Sequence, residues 1–140
     1  YLTTQMRCET VKKHIEVVAA VIISEQQVLC AQRSDTMSLP LLWEFPGGKI
    51  DPGESERTAL KREIKEELLC DIVVGDKITT TTYDYDFGVV HLHSYHCTLQ
   101  TQAPTLTEHK AMKWLNITEL QQLAWAPADI PTVNMISQFY

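Results

Sequence analysis

The sequence predicts an α/β (α+β) domain in which a mixed β-sheet is sandwiched between helices, and three observations carry that prediction. β-branched apolar runs at residues 14–24, 28–33, 72–85 and 89–99 read as strands, and residues 55–68 read as an amphipathic helix. No internal repeat or low-complexity tract interrupts the alternation. The chain has 140 residues, 44% hydrophobic and 21% charged, which is a single-domain length with enough apolar surface for a core without disulfides or structural metal.

Tyr1 rather than Met opens the chain, so residues 1–12 are expected to be a flexible or expression-derived lead-in, and residues 13–140 the one folded domain. His14 to Ser24, HIEVVAAVIIS, reads as a strand buried on both faces. After a polar turn at Ser24 to Gln27, Val28 to Arg33 returns as a second strand, and Ser34 to Pro40 is a loop. Leu41 to Phe45 is expected as a short strand running into Pro46-Gly47-Gly48. Asp51-Pro52-Gly53 makes a turn, and Ser55 is a good N-cap with Glu56 behind it. The helix then runs to about Leu68, with Leu60, Ile64 and Leu68 as its apolar stripe. Ile72 to Tyr85 and Val89 to Leu99 are strands joined near Asp86 to Gly88. A short strand at Ala111 to Leu115 precedes a capping-box pattern at Thr118 and Gln121, and Pro131 suits the first turn of a terminal helix.

A net charge of −6 argues against a nucleic-acid polymer as partner, while leaving a small polyanion open if a cation reverses the local sign. No apolar run approaches the roughly 20 residues of a membrane span, and the start lacks a basic-then-apolar signal, so a cytoplasmic protein is expected. The four cysteines, Cys8, Cys30, Cys70 and Cys97, show no Cys-x-x-Cys spacing and are expected as reduced thiols. His91, His93 and His96 alternate along one strand and cannot all face one ion, which sets aside a zinc reading.

The chemistry concentrates between Trp43 and Cys70, WEFPGGKIDPGESERTALKREIKEELLC. At about 100° per residue, Glu63, Glu66 and Glu67 fall within an arc of about 100° on the helix. Glu63 and Glu67 are then like charges one turn apart, a pairing that costs a few tenths of a kcal/mol unless a cation offsets it. Magnesium takes carboxylate and carbonyl oxygens and is commonly shared with phosphates, so a metal and phosphate site is the first functional reading.

Gly48, Glu54, Arg62, Glu63, Ile64, Glu66 and Glu67 stand at the spacing of the Nudix box, and the chain from His14 to the terminal helix resembles the MutT-type members of the Nudix hydrolase family. Within them it is most similar to the CTP pyrophosphohydrolase branch, through HIEVVAAVI, HLHSYHC and LAWAPADIP. The resemblance implies the Nudix fold and magnesium-dependent hydrolysis of a nucleoside triphosphate to monophosphate and pyrophosphate, with manganese as a possible substitute. It further implies that Glu63, Glu66, Glu67 and the Gly47 carbonyl hold the metal, that Glu63 positions or deprotonates the attacking water, and that Arg62 orients a glutamate. Glu54 would brace the loop, and glycine at 47 and 48 would let the backbone approach the ion.

Outside the box, Glu108 stands six residues before Trp114, where a family glutamate reaches the metals and competes with Glu63 as the general base. Arg33 aligns with an arginine that contacts substrate phosphate. Asp129 and Glu16 would accept hydrogen bonds from the base, and Phe45 or Tyr85 would stack on it. The implied substrates are CTP, dCTP or a modified or oxidised relative, handled by a monomer or homodimer in nucleotide pool sanitisation. A nucleotide-sugar or dinucleotide hydrolase is the alternative within the enzyme class, and a non-catalytic nucleotide-binding domain is the alternative outside it. One departure stands out: the box ordinarily continues with glycine where this chain has Leu69, so the helix is expected to end differently or one residue later.

Overall fold

β1 (His14–Ser24) is the strand around which the sheet is assembled in the computed structural model, which describes residues 11–139. Its interior, Val18 to Ile22, is at most 1% exposed, as a β-branched run buried on both faces requires. On one side β1 pairs in parallel with β6 (Gly88–Leu99), from His14 opposite Val89 to Ile22 opposite Cys97. On the other side it pairs antiparallel with two different strands. Ile23 and Ser24 meet β2 (Gln27–Gln32), while Val17 to Ala19 meet β4 (Gly47–Lys49). β3 (Trp43–Glu44) and β7 (Ala111–Asn116) both pair with β2, and β5 (Ile72–Tyr85) closes the far edge against β6. The result is a seven-stranded mixed sheet.

Because side chains alternate along a strand, β1 feeds two cores. Val18, Ala20 and Ile22 point to one face, where Ala59, Leu60, Ile64 and Leu68 of α1 (Glu56–Leu68) cover them. Ala19 and Val21 point to the other, covered by Leu120, Trp125, Ala128, Val133 and Ile136. Those last residues come from the 3-10 turns at Ile117–Gln122 and Pro127–Asp129, from the segment between them that carries Trp125, and from α2 (Ile130–Phe139). Each fully buried aliphatic side chain contributes roughly 1.5–3 kcal/mol relative to exposure, so the apolar stripe of α1 anchors the helix more firmly than its propensity does.

Ser55 caps α1, its side-chain oxygen accepting from the Thr58 backbone N–H at 3.1 Å. The C-terminus corrects the sequence expectation. The helix stops at Leu68, and Leu69 itself takes the left-handed cap conformation, φ 52° and ψ 36°. A leucine is held there because the carbonyls of Lys65, Glu67, Leu68 and Leu69 are taken. Leu69 N–H donates to Lys65 O, Thr105 N–H to Leu68 O, the Thr107 hydroxyl to Glu67 O and Gln102 Nε2 to Leu69 O. The 101–107 loop thus does the capping that a glycine would otherwise favour.

Three other expectations shift. The strand expected over Leu41 to Phe45 shrinks to Trp43–Glu44, since Leu39 and Leu41 both have positive φ and bend the approach. The glycine pair, to which the sequence reading gave no element of its own, is strand β4. The capping box expected at Thr118 and Gln121 lies two residues earlier, where Glu119 Oε1 accepts from Asn116 N–H at 2.9 Å. Of the expected lead-in at 1–12, residues 1–10 with Cys8 lie outside the described residues, and Lys12 Nζ pairs with Asp84 at 2.7 Å. Cys30, Cys70 and Cys97 are free buried thiols, as expected.

Replacing Leu69 with glycine removes a left-handed strain of roughly 1–2 kcal/mol at the cost of about 0.5–1 kcal/mol of unfolded-chain entropy. Urea unfolding of Leu69→Gly should therefore show a gain of about 0.5 kcal/mol. A loss would show that the half-exposed leucine packs better than its strain costs.

Candidate active site

A cavity of about 460 Å³ opens on the face of the sheet away from α1, lined by Ile15, Val17 and Ala19 of β1. The Gly47-Gly48 pair and Glu67 mark one part of its wall, and Phe45, Tyr85 and Asp129 another. β4 explains how α1 reaches a cavity on the opposite face. Gly47 N–H donates to Glu67 Oε1 at 3.1 Å, so the glycine strand carries the helix's last acidic turn to the rim.

The glycines are required by what already fills the space beside them. A Cβ on Gly47 would collide with the Val18 carbonyl of β1, and one on Gly48 with the Glu63 carboxylate. The close approach is thus to a strand and a side chain of the protein itself, which gives the sequence reading a more specific cause.

Arg62 organises the acids. Its Nε and Nη2 donate to the two oxygens of Glu54 at 2.8 Å each, a bidentate pair, and Nη2 also reaches Lys49 O at 3.0 Å. Its Nη1 donates to Glu63 Oε1 at 2.9 Å and lies 3.4 Å from Glu66. The Arg62 hydrogen bonds, with that from Asp51 N–H, hold the Glu54 carboxyl down to about 2. Arg62 thus ties Glu54, in the turn before the helix, to Glu63 on it. Glu63 goes the other way: burial raises its pKa above the usual carboxylate range despite Arg62. Burial raises Glu67 further, to about 8, against the opposing charge of His109. Glu66 is mostly exposed.

Two polar groups that the sequence reading passed over complete the wall. Glu44 Oε1 accepts from Arg33 Nη1 at 2.8 Å, while Glu44 Oε2 meets His109 Nε2 at 2.7 Å. His109 is 5% exposed, and its Nδ1 lies 3.8 Å from Glu67 Oε2. Burial alone would lower the His109 pKa, but the hydrogen bond and charge of Glu44, with Glu67, raise it. The signal available in the sequence was weak, a glutamate in a two-residue strand and a histidine 65 positions on.

Arg33, Phe45, Glu108 and Asp129 all line the cavity. Asp129 is buried, accepts from Phe45 N–H at 3.2 Å, and is pushed well above the usual carboxylate range by burial. Phe45 packs on Trp125 at 4.7 Å between ring centroids, and the Tyr85 hydroxyl accepts from Ala128 N–H at 2.8 Å. Glu16 is the exception. Ile15 and Val17 face the cavity, so Glu16 faces the other side of the sheet, where its Oε1 meets His93 Nε2 at 2.8 Å. It does not join Asp129 as a second acceptor.

Among the described residues no group of three or more acidic, histidine or cysteine side chains is gathered closely enough to hold an ion by itself. The donor chemistry nevertheless fits a hard divalent cation that keeps part of its water and shares substrate oxygens. Glu63 and Glu67 are carboxylates whose burial opposes their charge, and a nearby cation would relieve that opposition.

The two glycines separate fold from chemistry. Gly47→Ala forces backbone against backbone and should cost more than about 2 kcal/mol in denaturant unfolding. Gly48→Ala displaces only the end of a flexible side chain, so it should unfold near the wild-type midpoint while losing at least tenfold in turnover. Equal stability losses in both would contradict the assignment.

Comparison with known proteins agrees with this geometry. The profile of the NUDIX domain family matches residues 12–135. The CTP pyrophosphohydrolase of Escherichia coli K12 is 41% identical over 127 residues, covering 87% of this chain and 90% of that protein. The 8-oxo-dGTP diphosphatase of Proteus vulgaris is 35% identical over 75 residues, covering 53% of this chain and 67% of its own length. A solution structure of the DNA mismatch repair protein MutT, family Nudix hydrolase, from methicillin-resistant Staphylococcus aureus 252 is 59% identical, covers 91% of this chain and 98% of that one, and superposes with a TM-score of 0.77. The sheet, the glycine strand and the acid-bearing helix are therefore those of a family fold, and this chain belongs to the NUDIX domain family of hydrolases.

Proposed function

We propose that the protein hydrolyses nucleoside triphosphates to nucleoside monophosphate and pyrophosphate with magnesium, or manganese in its place, acting on CTP, dCTP or an oxidised relative. The observation that carries the reading is a cavity lined by the desolvated box carboxylate Glu67 and a buried Asp129 beside aromatic rings, with a second desolvated box carboxylate, Glu63, packed against Gly48 of its wall. The relatives named for CTP and 8-oxo-dGTP support the substrate class. Nudix hydrolases generally use divalent metals.

Glu63, Glu66, Glu67 and the Gly47 carbonyl would hold the cation, which supplies charge neutralisation of the phosphate oxygens. The rest is positioning by the chain's own groups. Water adds to a phosphorus, the bond to the pyrophosphate oxygen breaks, and the water's proton passes to a carboxylate, Glu63 or Glu108. Arg62 keeps Glu63 aimed through its 2.9 Å hydrogen bond. Arg33 uses three N–H groups on Glu44 and Ser38, and a guanidinium carries five, so it retains donors for a substrate phosphate. Asp129 would read an amino or imino N–H of the base, with Phe45 beside it. The free buried thiols Cys30, Cys70 and Cys97 suit the cytoplasm, where the nucleotide pool is.

Incubation with magnesium and a panel of ordinary and oxidised nucleoside triphosphates should release monophosphate and pyrophosphate. Release of diphosphate and orthophosphate, or turnover of none, would overturn the reading. Asp129→Ala should change the ranking of bases by about tenfold or more, because a buried acceptor matched to a base N–H is lost. Equal losses on every base would count against its role as a reader.

A further inference from the structure

We propose that Glu44 and His109 are a positioning clamp: one carboxylate holds Arg33 with one oxygen and His109 with the other, and His109 in turn presents its Nδ1 to Glu67, so that the phosphate-binding arm and the metal-binding arm of the cavity are set by a single side chain. The inference rests on the reading of Glu67 as a metal ligand and Arg33 as a phosphate contact.

The sheet brings the three elements together. Glu44 of β3 sits opposite Ala31 of β2, two residues before Arg33. β7 pairs with the same strand, Ala111 opposite Gln32, and Lys110 N–H donates to Gln32 O at 2.9 Å, which delivers His109 to the end of β2. The loop carrying His109 is tied to α1 as well, through Thr105 to Leu68 O and Thr107 to Glu67 O. His109 is therefore wedged between β2 and the last turn of α1.

The contacts are those of a built feature. An ordinary surface pair is exposed and contributes little. Here the side chains of Arg33 and Glu44 are 19% and 18% exposed, and that of His109 is 1% exposed. Both Glu44 oxygens accept at 2.7–2.8 Å, so its orientation is fixed by Arg33 and His109. A carboxylate only accepts, so the His109 Nε2 facing it carries a proton; Nδ1 is the atom presented to Glu67, and it donates to that carboxylate when the ring is the imidazolium. That Nδ1 is buried without a hydrogen-bond partner, 3.8 Å from Glu67 Oε2. This is beyond a hydrogen bond, yet a shift of less than 1 Å closes it, the kind of tightening expected when a site is loaded. A second carboxylate oxygen, Glu67 Oε1, is already fixed by Gly47 N–H at 3.1 Å. His109 thus governs the one oxygen of Glu67 that the backbone leaves unset.

The roles separate by variant. His109→Gln keeps an N–H donor within reach of Glu44 and removes the group facing Glu67. Glu44→Gln keeps the volume but can no longer accept from both partners. Manganese binding, followed by titration calorimetry on the whole chain, reads the Glu67 arm without requiring turnover, and the nucleotide KM reads the Arg33 arm. Partners one step removed from a metal ligand typically change affinity by about 10–100-fold. His109→Gln should weaken manganese binding at least tenfold with nucleotide KM within about threefold of wild type. Arg33→Lys should raise KM with manganese affinity unchanged. Glu44→Gln should do both, and Glu44→Gln with His109→Gln should bind manganese no more weakly than the worse single variant, since both act through one arm.

A purely structural pair would lower the melting temperature of all variants while leaving manganese affinity and KM within twofold, and that result overturns the clamp. Additive losses in the double variant overturn it too. If the wild-type protein binds manganese but turns over no triphosphate, the proposed function fails and the manganese series still decides the clamp. If it binds no manganese, the clamp fails with it.

Discussion

One guanidinium makes the acidic face of α1 tenable. Arg62 touches Glu54, Glu63 and Glu66 at 2.8 to 3.4 Å and the Lys49 carbonyl at 3.0 Å. Without it, like charges one turn apart would splay, and the loop from β4 to α1 would lose the bidentate pair that ties Glu54 to the helix. With it, Glu63 can be packed against Gly48, where no Cβ would fit. The glycine strand, the helix register and the orientation of the box acids are consequences of satisfying one cation in one place.

Arg62 does not reach Glu67. That residue lies a turn further on and is treated differently: buried, held by Gly47 N–H and faced by His109. The loop from Thr101 to Lys110 therefore has two tasks. It caps the left-handed end of α1 through Gln102, Thr105 and Thr107, and it delivers Glu108 and His109 to the cavity. Cap and chemistry are joined in one segment, which accounts for a helix that ends on leucine without losing its acids.

Much of this was legible in the sequence, and the reasons for the rest are physical. β1 and α1 were clear because their periodicities are long and unambiguous. The spacing of Arg62, Glu63, Glu66 and Glu67 was clear because a spaced motif fixes their relative places on one helix, with Glu54 in the turn before it. β4 was not, because a glycine pair carries no strand pattern of its own until β1 is seen to lie against it. Glu16 was misplaced by one step of strand alternation, which moves a side chain to the other face of the sheet. Glu44 and His109 were missed because their partnership exists only through β2, to which both β3 and β7 pair. No local pattern encodes it.

The fold buries carboxylates where water does not balance their charge, so that ionising them calls for a nearby cation. Glu67 is the sharpest case, with its pKa raised by burial from 4.5 to about 8. The folded state then holds the proton more tightly than the unfolded chain, so stability falls as pH rises from about 4.5 to about 8. His109, raised above 6.5 by its acidic neighbours, adds a loss in the same direction above that pH. The comparison of wild type with Glu67→Gln isolates the first contribution. In chelator, the melting temperature of the wild-type protein should fall more steeply between pH 5 and pH 8 than that of Glu67→Gln, and magnesium at pH 8 should raise it more in the wild type. Parallel profiles with no difference in the magnesium response would contradict the account.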